Sequence, residues 1–171
     1  MKTGIIFRKP TLEDGAAIWH LVKTTGRLDL NSAYLYLLLA RDFADTCVVA
    51  AEGERLVGFV SGYRPPGRPD TVFLWQIGVD PAAQGQGLGR RLLHAFMASP
   101  GVRGARWLET TISPDNAASQ ALFRGYARDL GVSCEVSEYF RAEHFPGATH
   151  QPEALYRIGP LGSADRDRQH P

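Results

Sequence analysis

The sequence predicts a mixed α/β fold, of α+β character, with helices on both faces of one central sheet. Three observations carry that prediction. The hydrophobic period changes along the chain in the order β, α, α, β, β, β, α, β, α, β, β, and a sheet covered on both faces is the natural packing solution for such a series. Hydrophobic residues make up 44% of 171 residues, enough for a sizeable core in a chain of ordinary single-domain length. A glycine-rich turn, 84-QGQGLG-89, separates a strand pattern from a helix pattern.

The elements follow in order. Residues 4–9 read as a short strand ended by Pro10. Residues 11–26 read as a helix: Thr11 is a good N-cap, Asp14 can complete a capping box, and Gly26 is a stop. After a polar turn at 27–32, the apolar run 33–43 predicts a second, buried helix. Residues 46–52 and 56–64 are rich in β-branched and aromatic residues, with a hairpin-length turn at 53–55. The loop 65-PPGRPD-70 can continue neither element. A strand at 71–79 follows, then a helix at 88–99 with Leu88, Leu92, Leu93, Phe96 and Met97 on one face. Strand 105–113, helix 115–131 and strands 133–140 and 153–159 complete the series. We expect one domain over 1–160 and a polar, disordered tail over 161–171.

Composition excludes several classes. The formal net charge is +1, so no basic field for nucleic acid is present. No apolar run has the length of a signal peptide or a membrane span, so a soluble, cytoplasmic protein is expected. The two cysteines, Cys47 and Cys134, form no CxxC pattern. They suggest neither a metal site nor a disulfide framework, which fits a reducing compartment.

Glycines ahead of a helix let the backbone adopt conformations that other residues resist. The free amides of the first helical turn, with the helix dipole, then make a seat for phosphate. Two familiar phosphate motifs fail. A dinucleotide fingerprint starting at Gly85 or Gly87 needs its last glycine where Arg90 or Leu92 stands, and the GK[ST] of a Walker A loop is absent.

A third pattern fits. Gln84-x-x-Gly87-x-Gly89, after a strand ending 77-IGVDP-81, resembles the acetyl-CoA loop of the GCN5-related N-acetyltransferase (GNAT) superfamily. The segment 116-NAASQALF-123 is similar to that superfamily's N-x-x-[AS]-x-x-L-[YF] helix. The resemblance implies that the strand carrying Ile77 and Val79 splays from 106–111 and offers its amides to the pantetheine arm. It implies that Gln84, Gly85, Gln86, Gly87, Leu88, Gly89 and Arg90 hold the pyrophosphate, and that Asn116 and Ser119 flank the thiol end. Phe123 occupies a position where the superfamily often has a tyrosine able to protonate the leaving thiolate. Without the resemblance, Asn116 is simply a helix cap and Ser119 a solvent-facing residue.

Four longer segments, 28–50, 57–79, 108–123 and 150–160, look like the L-2,4-diaminobutyrate acetyltransferases of ectoine biosynthesis. The distinctive parts are LDLNSxYxYL, the WQ pair at 75–76, and LETTI. Gln151-Pro152 departs from a stretch that is usually acidic in that family. The resemblance implies acetyl-CoA as cosubstrate, no metal, and transfer to the 4-amino group of the diamine. An amine arrives as an ammonium, with a pKa of about 10.4, so its site needs carboxylates or aromatic faces and a route for the proton. On this reading Asp29, Glu109 and Glu153 pair with ammonium groups, Trp75 adds a cation–π face, and Tyr34 and Thr110 complete the acceptor site. Glu109, or a water it holds, accepts the proton; His150 is a second proton-transfer candidate. An amide near Ile77 stabilises the oxyanion. Each residue also has a plainer reading: Glu109 as a solvent-facing strand residue, Trp75 as core, Asp29 as a helix cap, Tyr34 as a buried aromatic, His150 as a solvated loop residue. The superfamily also suggests a homodimer, through the helix at 33–43 or the C-terminal strands. Two other functions stay open from sequence: acetylation of another small amine, and a non-catalytic acyl-CoA-binding module.

Overall fold

The computed structural model describes residues 4–147 and 149–162. These form two compact units, one built from 4–63 and 74–103, the other from 64–73 and 104–162. The strand order is β1-β2-β3-β4-β5-β7-β6, a seven-stranded mixed sheet of the predicted class.

The first unit holds β1 (Ile5–Arg8), α1 (Gly15–Thr25), α2 (Ala33–Arg41), β2 (Cys47–Glu52), β3 (Arg55–Tyr63), all but the first three residues of β4 (Thr71–Val79), and α3 (Leu88–Ala98). β1 pairs antiparallel with β2, and β2 with β3. The hairpin turn needs Gly53, whose φ is +62°. Both faces of this part of the sheet carry helices, because side chains alternate along a strand. Phe59 packs edge-on against Tyr36 of α2, ring centroids 6.4 Å apart. Its neighbour Gly58 points the other way, where an added Cβ would lie 2.6 Å from the Leu92 side chain of α3. Ile18, Leu21, Val22, Tyr36, Leu39, Val49 and Phe59 form one core cluster. Leu88, Leu92, Leu93, Phe96 and Met97, the face expected from the helical period, are all buried.

The start of the first helix differs from expectation in its pitch. Leu12–Asp14 forms a single 3-10 turn, and α1 begins at Gly15. The cause is Asp14. Its carboxylate accepts from the Thr11 amide at 2.7 Å, as a capping box requires. It also accepts both arms of the Arg8 guanidinium, at 2.6 and 2.9 Å. That fork draws the first turn against β1. Hydrogen bonds from Arg8 hold the Asp14 carboxyl below the usual carboxylate range. Gly26 ends α1 in the left-handed conformation, φ +63°.

The second unit holds the first residues of β4, β5 (Trp107–Ile112), α4 (Ala117–Leu130), β6 (Ser133–Phe140) and β7 (Glu153–Gly159). The parallel ladder of β4 and β5 joins Thr71–Trp107, Val72–Leu108 and Phe73–Glu109. β7 then lies between β5 and β6, antiparallel to both. The expected tail lies outside the described residues from 163 onward, whereas the Leu161 amide still donates to the Arg106 carbonyl at 2.7 Å. No helix among the described residues is long and apolar enough to cross a membrane.

Candidate active site

The residues expected from sequence fall in both units, so each set is described within its own. In the first unit, β4 exits at Asp80. The Asp80 carboxylate accepts from the Ala82 amide at 2.8 Å and pairs with Arg55 at 2.5 Å. Gln84 ties the following loop back to the strand end, its Nε2 donating to the Val79 carbonyl at 3.3 Å. Gly85 and Gly87 have φ of +78° and +67°, and an added Cβ would meet nothing within 4 Å at either. Glycine is required here by conformation, not by crowding. Gly87 is the N-cap of α3, and its carbonyl accepts from the Arg91 amide at 3.2 Å, the first i to i−4 bond of the helix. The amides of Leu88, Gly89 and Arg90 precede that bond, at the positive end of the helix dipole. This donor set fits a pyrophosphate. Gln86 lies in the same exposed loop.

Along β4, Trp75 is 38% exposed and Ile77 and Val79 are half-buried. Trp75 is therefore not a core residue. Gln76 between them is buried and works as a clamp. Its Oε1 accepts from the Tyr36 hydroxyl at 3.2 Å, and its Nε2 donates to the Asp29 carbonyl at 2.9 Å. Asn31 Nδ2 donates to the same carbonyl, at 3.1 Å, and Trp19 Nε1 donates to the Asn31 carbonyl at 3.1 Å. The loop before α2 is thus pinned by its backbone while the Asp29 side chain stays exposed. Asp29 does not cap α2, because Ser32 is the N-cap. Tyr34 is 68% exposed; the buried tyrosine of α2 is Tyr36.

In the second unit, β5 holds the expected Glu109 and Thr110. Glu109 is fully buried, not solvent-facing. Both its oxygens accept from Arg68 Nη1, at 2.7 and 2.6 Å, and its Oε1 lies 3.4 Å from Arg157 Nη1. Arg157 stands directly across the ladder from Glu109 and sits over the Trp107 ring, 4.1 Å from its centroid. Strand alternation separates neighbouring threonines. Thr111 shares the face of Glu109 and donates its hydroxyl to the Glu153 carboxylate. Thr110 pairs with Tyr156, on the face where Arg124 of α4 covers the Tyr156 ring.

Asn116 is the N-cap of α4, its Oδ1 accepting from the Ser119 amide at 3.1 Å. Ser119 is half-buried, and both Phe123 and Tyr126 are buried. His150 stacks on Phe145, centroids 3.6 Å apart and planes 12° from parallel, with Nδ1 2.7 Å from the Gln151 carbonyl. It stays in a loop, with intermediate exposure, and the Phe145 ring is its platform. Among the described residues no group of three or more His, Cys, Asp and Glu could hold a metal. Burial pushes the Cys47 thiol up to about 12.

Sequence reasoning missed Arg68, Arg157 and the Tyr36–Gln76 clamp as partners of the expected residues. Gln76 had a signal, as the lone amide in the strand 71-TVFLWQIGV-79. Arg68 had none, because its loop has no period.

The Acetyltransferase (GNAT) family profile matches residues 16–126. The chain is 50% identical over 159 residues to the L-2,4-diaminobutyric acid acetyltransferase of Halomonas elongata, covering 92% of this chain and 82% of that protein. It is 48% identical to the protein of the same name from Halalkalibacterium halodurans, covering 94% and 85%. The chain belongs to the GNAT family, among its L-2,4-diaminobutyric acid acetyltransferases. The fold agrees. The diaminobutyrate acetyltransferase EctA of Paenibacillus lautus, solved in complex with L-2,4-diaminobutyric acid and coenzyme A, superposes with a TM-score of 0.90. It is 41% identical, over 94% of this chain and 98% of that one.

Proposed function

We propose that this protein transfers the acetyl group of acetyl-CoA to the 4-amino group of L-2,4-diaminobutyrate, making the precursor that is cyclised to ectoine. The observation that carries the reading is the likeness, over nearly the whole chain, to a solved enzyme holding that diamine and coenzyme A. The intact anion seat at Leu88–Arg90 supports it from this chain's own geometry. Both units serve one acetyltransferase domain, residues 1–160.

The chemistry is direct attack in a ternary complex. The acceptor nitrogen loses a proton, forms the new C–N bond, and the C–S bond of the thioester breaks to release coenzyme A thiolate. The chain's residues supply position and proton movement. The Leu88, Gly89 and Arg90 amides, with Gln84, Gly85, Gln86 and Gly87, hold the pyrophosphate end. Ile77 and Val79 offer backbone to the pantetheine arm, and the amide near Ile77 is the oxyanion donor. Asn116, Ser119 and Phe123 line the thiol end, so a phenylalanine side chain supplies no proton to the thiolate. Asp29, Tyr34, Trp75, Thr110 and Glu153 bind the acceptor. Glu109 takes the proton of the ammonium, directly or through water, and His150 on its Phe145 platform is the second group able to relay it.

The protein acts in the cytoplasm as a homodimer on this reading. The edge strand β6 supports the dimer, since Val136, Tyr139 and Phe140 there are 38–43% exposed. NMR of the product tests the regiochemistry: acetyl on the 4-nitrogen is expected, and acetyl on the 2-nitrogen would overturn the assignment.

A further inference from the structure

From Trp75 onward β4 alternates between accessible and buried residues, and Gln76 is its buried amide, 4% exposed. A primary amide inside a core is tolerated only when its hydrogen bonds are made. Both ends of this one are used. The Asp29 carbonyl can only accept, so Nε2 is turned toward it, at 2.9 Å. Oε1 then faces the hydroxyl of the fully buried Tyr36, which donates at 3.2 Å. That single orientation follows from what each of the three groups can donate or accept.

The loop that carries Asp29 is seated on β4 at a second point. Gly78 lies two residues beyond Gln76, on the same face of the strand. A Cβ there would stand 2.9 Å from Leu28 Cδ1 and 3.3 Å from Thr25 Cγ2, so glycine leaves room for Leu28 to lie against the strand. From α1, Trp19 Nε1 donates to the Asn31 carbonyl at 3.1 Å. Residues 28–31 are thus fixed to β4 by one hydrogen bond and one close approach, while the Asp29 side chain is exposed. One peptide bond joins Gln76 to Ile77. The position of Asp29 is therefore referred directly to the Ile77 amide.

We infer that Gln76 is a positioning residue that sets the length of acceptor the enzyme takes. This rests on the reading above, in which Asp29 pairs with an acceptor ammonium and the Ile77 amide receives the oxyanion. Glu109 serves the reacting nitrogen on that reading, so Asp29 serves the ammonium that stays charged. The Gln76 side chain then fixes the span between the held end of the diamine and the acetyl carbon, and itself touches no reacting atom. Diaminobutyrate fills that span. Ornithine, one methylene longer, overshoots it, and diaminopropionate, one methylene shorter, falls short.

The test is kcat/KM for diaminobutyrate, ornithine and diaminopropionate, with acetyl-CoA saturating, and a thermal scan of each protein. The proteins are the parent, Gln76→Leu, and the double variant Tyr36→Phe with Gln76→Leu. A tight fit discriminates one methylene by about 10–200-fold, and the parent is expected to favour diaminobutyrate by that factor. Gln76→Leu alone strands the Tyr36 hydroxyl and loses stability. The double variant removes both polar partners, and Asn31 Nδ2 still donates to the Asp29 carbonyl, at 3.1 Å in the parent, so its melting temperature returns toward the parent's. Its preference for diaminobutyrate over ornithine nevertheless falls about tenfold, with KM for acetyl-CoA unchanged. A preference that survives in the double variant, or a kcat/KM that falls equally for all three amines, would overturn the inference and leave Gln76 as a support of the fold. A parent that acetylates ornithine as readily as diaminobutyrate would also overturn it, while acetyl transfer stands. A parent that acetylates no diaminobutyrate would instead sink the functional reading on which the inference rests.

Discussion

Gly87→Ala separates an anion seat from an ordinary turn. Gly87 has φ +67°, and a Cβ there would meet nothing within 4 Å, so the substitution acts on backbone conformation alone. An L-residue held left-handed costs about 1–2 kcal/mol, a factor of about 5–30 in an equilibrium. Where that cost appears depends on the surroundings. Residues 84–87 are all exposed, so an empty loop escapes the strain by turning over. The Leu88–Arg90 amides must then be re-aimed at the cost of binding, and the acetyl-CoA dissociation constant rises about 5–30-fold. Gly26→Ala is the matched control. It carries the same strain, φ +63° with open space around the Cβ, at the end of α1. There the cost appears as stability, a fall of about 2–8 °C in melting temperature, with acetyl-CoA affinity unchanged. Calorimetric titration of acetyl-CoA into both variants, with a thermal scan of each, makes the comparison. Gly87→Ala that binds acetyl-CoA as tightly as the parent would refute the reasoning and leave 84-QGQGLG-89 as a plain turn.

Three further outcomes are expected. Glu109→Gln lowers kcat by about 10²–10⁴-fold, the usual range for a lost acid–base group, with KM for acetyl-CoA unchanged in steady-state assays; a kcat near the parent's would pass the role to His150. Tyr36→Phe leaves the buried Gln76 Oε1 without its donor and costs about 1–3 kcal/mol in denaturant unfolding, and it raises the acceptor KM because Gln76 anchors the Asp29 loop. Asp14→Asn costs about 1–2 kcal/mol at neutral pH. The folded pKa of Asp14 is depressed, chiefly by Arg8, so its contribution is full above the unfolded value of about 3.9 and is lost as pH falls through the folded value. The gap between parent and variant in pH-resolved unfolding should close below about pH 4.

The elements were legible wherever one period ran long enough. The face of α3 and the full length of β4 follow directly from the spacing of apolar residues. The 3-10 turn at Leu12–Asp14 was not legible, because it depends on Arg8 of another element reaching the capping carboxylate. The cofactor loop was readable because a positive φ demands glycine and leaves a trace in the sequence. The acceptor side was less so. Strand alternation around Glu109 is visible in 108-LETTI-112, but nothing in it says that Glu109 is buried under Arg68 and Arg157. Tyr34 and Tyr36 differ by two positions on one short helix. Only the tertiary contact with Phe59 and Gln76 decides which of them is inside.

The measurement that bears most directly on the central claim is thiol release from acetyl-CoA with L-2,4-diaminobutyrate, beside lysine, ornithine and spermidine. Fast release with diaminobutyrate alone is the predicted result. Fast release with another of these amines and none with diaminobutyrate would contradict the acceptor assignment while keeping the cofactor. Release with no amine, despite measurable coenzyme A binding, would contradict the claim that this protein is an enzyme.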